Sequence, residues 1–295
     1  MQFPGKVQPE IHIINLPGSL KASVLRLDMV HPVVSGNKWY KLKEYLKEAK
    51  EQRKSTIVTF GGAFSNHIVA TAAACKSFGI ESIGIIRGER PKNLSNTLQD
   101  ALAFGMHLIF LSREEYKKKS IPQELYTKHE YEKLYFVNEG GYGYLGMLGA
   151  ASIIEDADIK SYTHLLTAVG TGTTLAGLLK ASQPYQELIG ISVMKNNFSL
   201  NNSVEQLIPD KSNFKILHDF HFGGYAKSPS ELLNFMNQWY LQTGIPSDFV
   251  YTGKLFYAFE QLVARNFFPS NSNILLIHSG GLQGNRSLPE GSLLF

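Results

Sequence analysis

The sequence predicts an α/β protein with mostly parallel sheets, and two observations carry that prediction. The first is a recurring order of short apolar run, glycine-rich or polar turn, then helix-like segment, as in Thr56–Phe60, Gly61-Gly62 and a helix from about Ser65 to Phe78. Strands that alternate with helices pair in parallel, because each crossover helix returns the chain to the same end of the sheet. The second is the placement of the glycines. Gly170-Thr171-Gly172 and Gly280-Gly281 close apolar runs just as Gly61-Gly62 does. In parallel sheets, ligands collect at the carboxyl ends of the strands, where such turns sit.

Along the chain, the helical segment Trp39–Lys50 precedes the strand Thr56–Phe60. Ser82–Ile86 is the next strand, closed by Arg87-Gly88 and followed by a helix near Ser95–Phe104. Met106–Leu111 reads as a further strand. Leu165–Val169 leads through Gly170-Thr171-Gly172 into a helix from about Thr173, and Ile274–Ile277 ends at Ser279-Gly280-Gly281. The polar stretch Lys117–Lys133 is a candidate crossover between subdomains.

At 295 residues the chain suits one large or two modest domains. With 43% hydrophobic and 18% charged residues it has the composition of a folded globular protein rather than a disordered one. The net charge of +4 is mild, and the basic clusters give no nucleic-acid footprint. Lys117-Lys118-Lys119 is a short run beside Glu114 and Glu115, and the lysines from Lys38 to Lys50 alternate with apolar residues like a solvated helix face. Cys75 is the single cysteine, so no internal disulfide calls for an oxidising compartment. The opening MQFPGKVQPE lacks the apolar centre of a secretory leader, and no apolar run reaches membrane-spanning length. The expected setting is the cytoplasm, with no membrane partner.

Five segments are candidate sites. Ser35-Gly36-Asn37-Lys38 places Lys38 at a helix start. A helix amino terminus and partial burial both favour the neutral amine that imine chemistry needs. The bland alternative is one more solvated lysine beside Lys41, Lys43 and Lys47. In Gly61-Gly62-Ala63-Phe64-Ser65-Asn66-His67, the hydroxyl, amide and backbone N–H groups at a helix start suit a carboxylate. An ordinary helix cap would use the same residues. Gly170-Thr171-Gly172-Thr173-Thr174 combines two glycines with three hydroxyls, a good cup for a single phosphate. It lacks the Gly-Lys-Ser/Thr ending of a P-loop, and Leu175 stands where a dinucleotide fingerprint needs its third glycine. Tyr251-Thr252-Gly253-Lys254 offers a tyrosine that can stack or move protons, against a packed aromatic before a helix. His278-Ser279-Gly280-Gly281 offers a serine donor, against a capped turn. No metal is expected. His218-Asp219-Phe220-His221 has no matching ligand set, and His129-Glu130 lacks the second histidine of a zinc-protease helix.

Taken in order, these segments resemble the 1-aminocyclopropane-1-carboxylate deaminase and D-cysteine desulfhydrase family of pyridoxal 5'-phosphate enzymes, from about Val24 to Gly284. The family's Gly-Gly-Asn-Lys segment, whose lysine holds the cofactor as a Schiff base, is matched by Ser35-Gly36-Asn37-Lys38, with Lys41-Leu42 following. Its Ser-Asn-Gln segment, which holds the substrate carboxylate and the pyridoxal hydroxyl, is matched by Ser65-Asn66, with His67 in place of glutamine. Its phosphate loop is similar to Gly170–Thr174, and its two active-site tyrosines to Tyr225 of Gly224-Tyr225 and Tyr251 of Tyr251–Lys254. Its Gly-rich stretch is matched by Glu139-Gly140-Gly141 and Leu145-Gly146. Where the family's deaminases have glutamate and leucine, this chain has Thr252 and Ser279, the hydroxyl pattern of the desulfhydrases. A hydroxyl leaves the ring nitrogen largely neutral where a carboxylate would hold it protonated.

The resemblance implies a two-domain tryptophan synthase β-like fold with the cofactor in the interdomain cleft, a large domain of residues 1–50 and 137–295, and a small domain of residues 51–136. It implies a lyase for a small amino acid, D-cysteine first, in which Lys38 is the base for the α proton and Tyr225 and Tyr251 orient substrate or move protons. Ser65 holds the carboxylate, or acts as nucleophile if cyclopropane opening is the activity. Asn66, Gly170, Thr171, Gly172, Thr173, Thr174, Thr252 and Ser279 contact the cofactor, and a homodimer is expected. Two further classes stay open on the sequence. One is a pyridoxal phosphate binder without turnover, and the other is a nucleotide module using Gly170–Thr174.

Overall fold

A computed structural model describes residues 7–16, 18–128 and 130–295. Residues 1–6 of the opening stretch, and His129 of the zinc-protease comparison, lie outside the described residues. The strands are β1 (Glu10–Ile14), β2 (Lys21–Arg26), β3 (Thr56–Gly61), β4 (Glu81–Arg87), β5 (His107–Leu111), β6 (Leu134–Val137), β7 (His164–Val169), β8 (Glu187–Ser192), β9 (Phe214–Leu217) and β10 (Asn273–His278). Among the described residues they form two sheets, one of order β1-β2-β10-β7-β8-β9 and one of order β5-β4-β3-β6. Every ladder is parallel except the β1–β2 pair at the edge of the larger sheet. The α/β class with mostly parallel sheets is therefore the observed one.

The strands expected from the sequence are present, each within a residue or so at its ends. β3, β7 and most of β10 are buried along their length, and so read as unbroken apolar runs. The strands not anticipated lack that signal. β8 (ELIGIS) is interrupted by Gly190, and β9 (FKIL) is short and half-buried. The polar stretch Lys117–Lys133 holds the helix Gln123–Lys128 and a 3-10 turn, Tyr131–Lys133, before β6 joins the smaller sheet.

Helix α1 (Asn37–Glu51) buries Trp39, Tyr40, Leu42, Tyr45, Leu46 and Ala49. It was expected from Trp39 and begins two residues earlier. α1 packs on the helix Tyr144–Asp156, which in turn packs on the helix Thr173–Ala181. The second contact is backbone-close at Gly177, where a Cβ would lie 2.6 Å from the Met147 carbonyl oxygen. This stack carries the start of the helix Thr173–Ala181 to the start of α1. The start of α1 is itself fixed by the end of β10. Gly36 has φ 66° and ψ −148°, and its N–H donates to the Leu27 carbonyl at 2.8 Å. The Asn37 N–H donates to the Ser279 carbonyl at 3.3 Å. A Cβ at Gly36 would overlap that same carbonyl.

Gly36→Ala combines a disfavoured backbone conformation with overlap against main chain that cannot swing aside, and is expected to lower the unfolding free energy by roughly 2–4 kcal/mol. Urea unfolding measures it, and a loss under about 0.5 kcal/mol, the range of a neutral surface change, would show the junction to be slack.

Candidate active site

A cavity of about 590 Å³ opens between the two sheets. Its walls come from the carboxyl ends of strands, where the sequence placed its glycine turns. Gly62 and Ser65–His67 follow β3, Arg87 ends β4, and Asn138–Gly140 follow β6. Val169–Gly172 follow from β7 and Ser279–Gly281 follow β10.

Lys38 lines the cavity in the first turn of α1, partly buried. Burial lowers its pKa to about 8, against the opposing pull of the Asp248 carboxylate. Its Nζ donates to Asn37 Oδ1 at 2.8 Å, while Asn37 Nδ2 donates to Thr174 Oγ1 at 2.8 Å. Asn37 thus ties the lysine to the phosphate-type loop and leaves the Thr174 hydroxyl proton free for the cavity. Lys41, one turn on, is 3% exposed and donates to the Gly140 carbonyl at 3.2 Å. Burial first, and then the nearby Lys38, hold its pKa well below the usual lysine value.

Ser65 is the N-cap residue of helix α2 (Asn66–Phe78), yet its side chain makes no capping bond. Its hydroxyl, like the first N–H groups of α2, is thus left without a helical partner in a residue that lines the cavity. Asn66 and His67 are buried beside it, and each keeps one polar atom, Asn66 Oδ1 and His67 Nδ1, with no protein partner. Burial, with the charges of Lys38 and Lys41, drives the His67 pKa well below the usual histidine value.

Gly170, Thr171, Gly172 and Thr174 line the cavity at the start of the helix Thr173–Ala181. Thr173 does not. It is fully buried, with its hydroxyl 3.0 Å from that of Thr171. Tyr251 and Tyr225 meet in a T-shaped pair with centroids 6.1 Å apart. Burial raises both phenols, Tyr251 well above the usual tyrosine value. Thr252 also lies outside the cavity lining. Its N–H and hydroxyl both donate at 2.8 Å to the buried carboxylate of Asp248, which precedes the helix Thr252–Ala264 and also accepts the N–H groups of Val250 and Tyr251. Lys254 is buried and donates to the Gly224 carbonyl at 2.7 Å, anchoring the segment that carries Tyr225. Ser279 lines the cavity, while its neighbour His278 is structural, donating from Nε2 to the Pro246 carbonyl at 2.8 Å.

With the geometry in place, comparison with known proteins is specific. The family model of pyridoxal-phosphate dependent enzymes matches residues 9–280, nearly the whole chain. The chain belongs to the pyridoxal-phosphate dependent enzymes. It is 31% identical to the bifunctional D-cysteine desulfhydrase/1-aminocyclopropane-1-carboxylate deaminase, mitochondrial, of Arabidopsis thaliana, covering 93% of this chain and 76% of that one. It is 27% identical to a D-cysteine desulfhydrase of Serratia proteamaculans, covering 88% and 86%. Among solved structures, an ACC deaminase homologue superimposes with a TM-score of 0.83 at 25% identity, covering 95% of this chain and 91% of that one.

The residues present fit pyridoxal phosphate. A lysine whose pKa burial lowers to about 8, a hydroxyl-rich helix start and an orphaned buried Asn66 Oδ1 converge on one cavity. Such groups supply an amine for an imine, donors for a phosphate and an acceptor for a ring hydroxyl. Sequence reasoning did not single out Asn37, Lys41, Arg87, Glu139 or Asp248. Asn37, Lys41 and Glu139 stood inside quoted motifs, whereas Asp248 gave no local signal, because its four donors become visible only in the fold.

A pKa near 8 instead of the usual 10.5 raises the neutral fraction of Lys38 at pH 7 a few hundred-fold. The rate at which the apo protein takes up pyridoxal phosphate should therefore rise with pH and reach half its maximum near 8. A midpoint above 10 would show an ordinary solvated lysine.

Proposed function

We propose that the chain eliminates the β substituent of a small amino acid, D-cysteine first, with pyridoxal phosphate as cofactor. The balanced reaction is D-cysteine plus water giving pyruvate, sulfide and ammonia. The observation that carries the choice of elimination is the set of polar groups available to the pyridine nitrogen. Ser279 brings a hydroxyl to the cavity wall, and position 252 is a threonine already committed to Asp248. Among the described residues, the one carboxylate lining the cavity, Glu139, is paired with Lys119 at 2.7 Å. Without a carboxylate to hold the nitrogen protonated, the electron sink is modest and favours a substrate with a good leaving group such as a thiolate.

In this reading Lys38 holds the cofactor covalently, Gly170, Thr171, Gly172 and Thr174 receive its phosphate and Asn66 its ring hydroxyl. When bound, the cofactor accepts the electron pair released at the substrate's α carbon. Lys38, whose neutral form burial brings within reach, takes the α proton. The Ser65 hydroxyl and the first N–H groups of α2 hold the substrate carboxylate. Tyr225 and Tyr251, kept protonated by burial, orient the substrate and donate a proton to the leaving group. The remaining expectations belong to the same proposal: a homodimer in the cytoplasm, with residues 1–50 and 137–295 as one domain and 51–136 as the other. The division rests on the two separate sheets.

The uncapped hydroxyl of Ser65 favours one second reading, opening of 1-aminocyclopropane-1-carboxylate with Ser65 as nucleophile. Ammonia and 2-oxo acid release from the two substrates separates them. D-cysteine is expected to give a kcat/KM at least about tenfold higher, a difference of some 1.4 kcal/mol in transition-state binding. Ser65→Ala is expected to act on KM more than on kcat. Loss of all turnover in Ser65→Ala, together with preference for the cyclopropane, would favour the deaminase. Cofactor binding with no turnover of any D- or L-amino acid would leave a binder.

A further inference from the structure

Among the described residues, four lysine and arginine side chains line the cavity, and three of them are committed within the protein. Lys38 donates to Asn37 Oδ1, Lys41 to the Gly140 carbonyl, and Lys119 pairs with Glu139 at 2.7 Å. The fourth, Arg87, is exposed at the end of β4 and makes no hydrogen bond or ion pair among the described residues. A guanidinium keeps its charge throughout the physiological range, so this stretch of wall is permanently positive with no described carboxylate against it. Its direction follows from the strand. Side chains alternate across a strand, and Ile83 and Ile85 of β4 enter the apolar cluster of Phe60 and Tyr116, whereas Ile86 enters the one that holds Ile68 of α2. Arg87, two residues beyond Ile85, lies on the Tyr116 face. Its charge is felt by the Tyr116 and Tyr225 phenols, where it opposes the rise that burial chiefly causes. Helix α2, with the groups assigned to the substrate carboxylate, packs on the other face, and the loop assigned to the phosphate follows β7 in the other sheet.

We propose that Arg87 is a specificity-determining residue whose guanidinium takes a negatively charged group at the side-chain end of the bound amino acid, a thiolate or a carboxylate. This rests on the reading of the cavity as an amino-acid site. In the elimination proposed above, the amino nitrogen is bonded to the cofactor, the α proton faces Lys38, and the carboxylate lies at the start of α2. The side-chain end is the part of the substrate that remains to meet Arg87, on the side of the cavity shared with Tyr225. A neutral side chain leaves the guanidinium donors to water. An anionic one gains charge-assisted hydrogen bonds, two in parallel where the anion is a carboxylate. Lys119 does not compete for this role, because Glu139 already neutralises it.

The test titrates amino acids into the protein loaded with pyridoxal phosphate and follows the cofactor absorbance, which changes when an amino acid displaces Lys38. Aspartate and asparagine, each as D and L isomers, have the same shape and differ in side-chain charge. Aspartate in the accepted configuration should bind at least about tenfold more tightly than asparagine. Arg87→Gln should bring the two within about twofold by weakening aspartate alone, and Arg87→Lys, which keeps the charge without the fork, should retain part of the preference. In a second arm, Arg87→Gln should raise the D-cysteine KM about tenfold and leave inhibition by D-serine, its neutral counterpart, within about twofold. Unchanged binding of asparagine and D-serine shows that the variants keep an intact site. A response in the cysteine arm alone assigns the thiolate, and one in the aspartate arm assigns the carboxylate. No response to Arg87→Gln in either arm overturns the inference. The aspartate arm needs no turnover, so failure of D-cysteine elimination alone would strike the proposed reaction and leave Arg87 to be judged on binding. A cofactor absorbance unmoved by every amino acid would strike the amino-acid site and this inference with it.

Discussion

Gly36 lies against the backbone of Ser279 and Gly280, and the rest of the site depends on that contact. A Cβ at Gly36 would overlap the Ser279 carbonyl, and one at Gly280 would come within 2.9 Å of Gly36 Cα. Only two glycines let these loops meet main chain to main chain. The meeting joins the end of β10 to the first turn of α1, so Ser279 and Lys38 share one wall of the cavity. Asn37 extends the junction by one side chain to Thr174, and the packed helices behind it hold that loop in register. Three segments far apart in sequence become one rigid frame, with the lysine at its centre.

Within that frame, the dominant electrostatic effect is the removal of amines from water. Lys38 and Lys41 both have their pKa lowered chiefly by burial. Lys38 has the Asp248 charge pulling the other way, so it remains titratable near neutrality rather than fixed in one state. Asp248 can stay in this role because its oxygens accept four hydrogen bonds at the start of a helix, where the helix dipole also favours a negative charge. The same carboxylate organises the Tyr251 turn. The tyrosine position and the lysine charge are thus coupled through one buried group.

Much of this was legible in the sequence. Buried parallel strands announce themselves as apolar runs, and turns that need glycine announce themselves as glycines, so β3, β4, β7 and β10 and the loops after them were found. Lys38, Ser65-Asn66, Gly170–Thr174, Tyr251 and Ser279 were picked out because their order and residue types match a known family. Side-chain direction was not legible. Thr252 and Thr173 were expected at the cofactor, but their hydroxyls are turned to Asp248 and Thr171. The hydrogen bond between Thr59 and His67 joins a strand interior to a helix start, and nothing local marks Thr59. Lys41 read as a solvated lysine, yet it is buried under Gly140.

Lys38 and Lys41 share the cavity, and the choice between them decides whether the frame has been read correctly. Lys41 is held by the Gly140 carbonyl, whereas Lys38 is tied through Asn37 to the loop assigned to the phosphate. The direct measurement is borohydride reduction of the protein loaded with pyridoxal phosphate, followed by proteolysis and mass spectrometry of the labelled peptide. Reduced pyridoxyl phosphate on Lys38 is the expected result. A label on Lys41, or spread over the surface lysines, would contradict it.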